Sequence, residues 1–254
     1  MNVFILKMIV VLFFAGVLVV NYLSNSIPFN KHTQTDISEK YPSYFTPTGF
    51  TFSIWGIIYI MLGIFVVRIA LQDMAFFDQA YVTTILIWFI ISCVLNMVWL
   101  VAWHYLKMEL SLLIMIGLLV SVVIIWTTIP LSETFMKATF SVYAGWISVA
   151  TIANVTITLI KLKIPLFQNN QVQWFVTVIT VGFLLVALVL NVTSDVLYGV
   201  VFVWAYYGII MKHIHHENPH ITTKKPLLYL KILFVLIVLL TSIEFVLNGF
   251  QLFL

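Results

Sequence analysis

Residues 44–68 read YFTPTGFTFSIWGIIYIMLGIFVVR. The prolyl entry at Pro47 is followed by an apolar run, in which Phe52, Trp55 and Tyr59 recur at helical spacing. Gly49, Gly56 and Gly63 recur every seven residues on another line. Seven residues are close to two helical turns, so the pattern predicts one helix with an aromatic stripe and a smooth glycine seam. The seam suits close approach to another helix, either within the chain or across a homodimer.

The rest of the chain has the same solvent preference. It is 63% hydrophobic and only 8% charged, against about 25% charged in ordinary soluble domains. A mean hydropathy of +1.12 agrees. An all-α integral membrane protein is expected, with the lipid bilayer as its first partner. The net charge of +3 is small, and no basic block interleaved with aromatics suggests nucleic acid. Cys93 is the sole cysteine, which excludes an internal disulfide, and its apolar surroundings make it a small buried hydrophobe.

Spans of about 20 apolar residues are needed to cross a bilayer. Eight are expected, at about 3–23, 46–71, 80–105, 110–129, 135–162, 172–192, 195–211 and 227–249. No small-residue cleavage site follows the first, so it reads as a retained span. Thr193, Ser194 and Asp195 separate the sixth from the seventh and offer a helix cap in a tight hairpin.

Loops after odd-numbered spans hold Lys31, Lys40, Lys107, Lys161, Lys163, Lys212, Lys224, Lys225 and Lys231. The other side holds Lys7, Arg68 and Lys137. Nine cations against three place the odd loops in the cytoplasm and both termini outside a cell membrane of bacterial inner-membrane type. The first loop, 24–45, is the longest connection and contains Pro28, Asn30, Gln34, Asp36 and Pro42. A loop of this length reads equally as a lid or as a solvated linker.

Two further spans carry aromatic stripes. The third presents Trp88, Ser92, Asn96, Trp99 and Trp103 at steps of three or four, and the fifth presents Tyr143, Trp146, Ala150 and Asn154. An amide in hydrocarbon needs a partner, so Asn96 and Asn154 should face inward. Rings with a few convergent polar groups suit a flat, largely apolar ligand. The alternative is that the rings are interfacial and the amides only join helices.

These residues also resemble a known family. Trp55, Tyr59 and Gly63 after Pro47, then LNMVW at 95–99, then YAGWISVATIAN at 143–154 are similar to the second-, third- and fifth-helix signatures of the TspO/MBR family. That family comprises the tryptophan-rich sensory proteins and translocator proteins. The resemblance covers residues 1–162 as a five-helix ligand-binding bundle and leaves 163–254 as a three-helix membrane extension. It implies binding of porphyrins or other planar ligands in a pocket closed by the first loop, and it implies dimers. Phe52, Trp55 and Tyr59, Asn96 and Trp99, and Tyr143, Trp146, Ala150 and Asn154 would line that pocket, with Tyr41 and Tyr44 in its cover. Porphyrin degradation at Trp55 and Trp146 is implied in the same way. The chain departs from the family in having Thr48 after Pro47 and no tyrosine between 156 and 164, where the family's sterol-recognition segment falls.

Outside those signatures, Glu244 is an acid within an apolar span and suggests either proton-coupled transport of a small amphipathic molecule or a carboxylate reaching the interface. His213, His215, His216, Glu217 and His220 form a histidine tract, but Pro219 breaks the helix that would align them, so no metal site is expected. No paired carboxylates or phosphate-binding glycine loop is present, and no catalytic residue is assigned. The expected function is a membrane sensor or carrier for a tetrapyrrole-like ligand, with no resident cofactor. A transporter, a membrane enzyme acting on porphyrin or polyene, and a packing scaffold are the other classes.

Overall fold

The computed structural model describes residues 3–27, 29–32, 36–37, 40–77, 79–215 and 224–248. Among them the chain is helical, with no strand. Among the described residues, eight helices are long and apolar enough to cross a membrane. We number them α1 (Val3–Ser26), α2 (Ile54–Leu71), α3 (Ala80–His104), α4 (Met108–Thr128), α5 (Thr134–Lys161), α6 (Gln171–Thr193), α7 (Val196–His215) and α8 (Lys224–Asn248). Except at the start of α2, their ends fall within a few residues of those expected from hydropathy. Pro28, Gln34, His216, Glu217, Pro219 and His220, singled out in the sequence, lie outside the described residues.

The second span departs from a single α-helix. Residues Gly49–Ser53 form a 3-10 helix and α2 proper starts at Ile54. Phe52 therefore belongs to this tighter turn and not to the α-helical stripe of Trp55 and Tyr59. The first loop also has structure of its own, a short 3-10 turn at Phe29–Lys31.

The chain divides into two compact units, Met1–Lys40 with Trp55–Ile147, and Tyr41–Ile54 with Ser148–Leu254. The division runs through α5.

In the first unit α3 packs on α1 and on α4. Phe14, Phe65, Phe89 and Phe140 form its apolar core, with Phe65 set edge-on to Phe89 at 5.1 Å and to Phe140 at 5.3 Å. Lys7, the one cation within the first span, donates to the carbonyls of Ala70 at 3.2 Å and Gln72 at 2.5 Å. It thereby caps the carboxyl end of α2, where the helix leaves carbonyls unpaired and partial negative charge. Near the end of α3, buried His104 bonds the Leu100 carbonyl at 2.7 Å, and its own carbonyl accepts Asn30 Nδ2 at 3.1 Å. This fixes the start of the first loop.

In the second unit α8 packs on α6 and α7, and the 3-10 helix packs on α7. The α6–α7 hairpin is as tight as expected. Ser194 takes a left-handed conformation (φ 53°), and Asp195 Oδ1 accepts the Tyr198 backbone N–H at 3.1 Å. The buried stack Tyr198, Phe202 and Tyr206 lines one face of α7. Its polar tips are satisfied by Ser148 Oγ, 2.9 Å from Tyr198 Oη, and by the Ile179 carbonyl, which accepts from Tyr206.

Within the chain the glycine seam of the second span makes no close helix contact. A methyl group at Gly56 would meet nothing within 4 Å, and one at Gly63 would make only ordinary contact with the Phe14 ring. Gly49 is exposed in the 3-10 helix. Close approach is made instead by glycines outside the seam, among them Gly182 and Gly208.

Candidate functional site: a tryptophan cluster with unpaired donors

Six of the expected ligand-binding residues lie in the first unit, and four of them pack around a fifth, Trp55. Its indole stacks on Tyr59 at 5.4 Å with 17° between the planes. Trp99, Tyr143 and Trp146 surround it, each at a centroid distance of 6.3 Å, and Tyr143 and Trp146 present their edges. These are favoured aromatic geometries. Trp103 extends the cluster through Trp99 at 5.8 Å. One turn of spacing puts Trp55 over Tyr59, Trp99 over Trp103, and Tyr143 beside Trp146, so the helical repeat itself builds the group.

A polar chain closes one side. Tyr59 Oη donates to Asn21 Oδ1 at 2.6 Å, and Asn21 Nδ2 donates to Asn96 Oδ1 at 3.1 Å and to the Val17 carbonyl at 2.9 Å. Asn21 was not among the expected site residues. Its only signal was a lone amide in the apolar first span, which belongs to no stripe.

Two donors in this cluster have no partner. Asn96 Nδ2 and Trp99 Nε1 are buried with no acceptor in hydrogen-bond geometry, and the phenols of Tyr59 and Tyr143 interact with the Asn96 amide group. Asn96 is 1% exposed and Trp99 is 6% exposed. Nearly all buried polar groups in folded proteins are paired, and an unpaired donor costs about 1–3 kcal/mol. Two such donors beside a ring cluster can accept a ligand that brings hydrogen-bond acceptors into an aromatic environment.

The other expected residues, Tyr41, Tyr44, Phe52, Ala150 and Asn154, lie in the second unit. Tyr44 is tied to α7 and α6, because its carbonyl is 2.9 Å from His213 Nε2 and its ring meets Phe175 edge-on at 6.0 Å. Burial raises the Tyr44 phenol above its ordinary pKa, so it stays neutral. Asn154 is buried, and Ala150 is half-buried one turn before it.

Glu244 sits one turn before the end of α8. Asn248 Nδ2 donates to its carboxylate at 2.6 Å and contacts Ser194 Oγ at 3.3 Å. The carboxylate is thus held at a helix end. Within the histidine tract, His213 is taken up by the Tyr44 carbonyl. Among the described residues no group of three or more His, Cys, Asp or Glu is arranged to hold a metal. Cys93 is buried and free.

Eight hydrophobic helices and a buried cluster of aromatic rings define a multi-pass helical membrane protein. The chain matches the model of the TSPO-like protein family over residues 7–245, and it belongs to that family. The match continues through the last three helices, which the sequence signatures had left without a resemblance. Membership in this family supports a membrane sensor or binding protein. No curated protein and no solved structure matches the chain.

Proposed function

We propose that the protein is a membrane sensor or carrier that binds a porphyrin or other tetrapyrrole among Trp55, Tyr59, Asn96, Trp99, Tyr143 and Trp146. The observation that carries the reading is the pair of buried, unpartnered donors, Asn96 Nδ2 and Trp99 Nε1, set within a ring cluster. A tetrapyrrole offers a flat apolar face to the rings and carboxylate acceptors to the donors. Stacking contributes about 0.5–1.5 kcal/mol per aromatic pair beyond burial. Hydrogen bonds to charged acceptors contribute about 1.5–3 kcal/mol. By this reading the ligand orients itself by its acceptors and gains affinity from its face.

The same reading places the chain in a cell membrane with the odd-numbered loops in the cytoplasm, following the distribution of lysines. The test is titration of the purified full chain with protoporphyrin, followed by tryptophan fluorescence. Saturable quenching is expected, and Trp146→Ala should weaken it about tenfold, corresponding to roughly 1.4 kcal/mol. Quenching that never saturates, or that is identical in the variant, would remove the proposal.

A further inference from the structure

The 3-10 helix that leads into Trp55 is bonded to α7. Trp204 Nε1 donates to the Thr51 carbonyl at 2.9 Å, and the Thr48 backbone N–H donates to the Gly208 carbonyl at 3.2 Å. The Phe50 ring meets Trp204 at 5.2 Å in an edge-on arrangement. Thr51 itself is 1% exposed.

Gly208 makes this contact possible. A Cβ at 208 would stand 2.9 Å from Thr51 Cβ and would overlap its hydroxyl as well. Thr51 is β-branched and short, with little freedom to turn away. The missing side chain lets the helix backbone reach the loop.

The Thr51 carbonyl has a second partner, the backbone N–H of Ile54, the residue that starts α2. One oxygen therefore ties α7 to the first turn of α2. Trp55 is the next residue along the chain after Ile54. It is also the ring that Tyr59, Trp99, Tyr143 and Trp146 all touch.

We infer that Trp204 and Gly208 of α7 are positioning residues for Trp55, acting through Thr51, and that occupancy of the tryptophan cluster and the packing of α7 are coupled through this contact. The ligand half of the inference rests on the function proposed above; the structural half does not. Coupling of this kind is reciprocal, so a ligand that favours one setting of Trp55 must favour the matching setting of α7.

Two variants of the full chain test this in detergent, with circular dichroism and size exclusion as folding controls. Trp204→Phe keeps a ring beside Phe50 and removes the donor to Thr51. Gly208→Ala forces Thr51 away from α7, and Trp204→Phe carries the test if that protein fails to fold. Hydrogen exchange is measured without ligand. Faster exchange is expected at residues 48–53 and also at residues 54–59, across the start of α2. Protoporphyrin affinity should fall about fivefold or more, the low end of typical coupling. In the unaltered chain the porphyrin should slow exchange at residues 204–212.

Faster exchange confined to residues 48–53, with residues 54–59 unchanged, would overturn the coupling, as would no change in either segment. Unaltered porphyrin affinity in a variant with a loosened α2 start would overturn it too. If protoporphyrin does not bind the unaltered chain, the functional reading fails, while exchange at residues 54–59 still decides whether α7 positions Trp55.

Discussion

Tyr59 and Asn21 share the shortest side-chain hydrogen bond of the tryptophan cluster, with the phenol donating to the amide oxygen at 2.6 Å. The bond joins α2 to α1. Because Asn21 also donates to Asn96 of α3, one amide connects three helices. Tyr59→Phe should remove one bond and cost about 0.5–1.5 kcal/mol of stability. Asn21→Leu should cost more, about 1–3 kcal/mol, because it removes the amide that bonds Tyr59 and Asn96 at once. Thermal unfolding in detergent checks both, and equal midpoints for the two variants would contradict the shared role of Asn21.

Trp99→Phe should separate binding from stability. The substitution keeps an aromatic ring near Trp55 and Trp103 but deletes a buried N–H that has no partner. Removing an unsatisfied donor relieves a desolvation cost, so the ligand-free protein should lose little stability, or gain some, despite the smaller ring. Porphyrin affinity should fall about fivefold, roughly 1 kcal/mol, because one hydrogen bond to the ligand is lost. Paired melting and titration curves test the two signs. A parallel drop in both would mark Trp99 as a packing residue only.

The sequence disclosed the eight spans because each carries its own hydropathy, and it disclosed Trp55, Trp99 and Trp146 because helical spacing is a local property. Asn21 was hidden because a single amide in an apolar run belongs to no pattern. The bond between Trp204 and Thr51 was hidden more deeply, since the two residues are 153 positions apart and the pairing depends on which helices pack. The seven-residue glycine spacing is silent about partners for a related reason. Spacing puts Gly56 and Gly63 on one line of α2, but does not say which surface lies against Gly56. Likewise the long first loop reads as one segment, whereas its start is fixed by His104 and residues 41–54 group with the second unit.

The two kinds of glycine should therefore respond in opposite directions to alanine. Gly182→Ala would bring a Cβ within 2.6 Å of Tyr206 Oη, which is engaged by the Ile179 carbonyl. Overpacking at such a site typically costs about 1–3 kcal/mol. Gly56→Ala meets open space, and the gain in helix propensity, up to about 1 kcal/mol, should leave the protein equally or more stable. Denaturation of both variants in one detergent gives the comparison. Loss of stability at Gly56 would instead point to a partner surface there, which cross-linking of the unaltered protein would reveal.

His213 supplies the last test, at the other tether of the first loop. The Tyr44 carbonyl can only accept, so His213 Nε2 must carry the proton in their 2.9 Å bond, and Nδ1 is left buried without a partner. The ring also packs edge-on against Phe175 at 5.4 Å. His213→Phe preserves that aromatic packing while deleting the donor, whereas His213→Ala removes both. If the hydrogen bond holds the loop, the phenylalanine variant should already show faster hydrogen exchange at residues 40–47, at a cost of about 1 kcal/mol. If packing on Phe175 holds it, phenylalanine should match the unaltered chain and only alanine should loosen the segment. The geometry favours the first outcome, because the bond acts directly on the Tyr44 backbone while the ring contacts are side-chain neighbours that phenylalanine can reproduce.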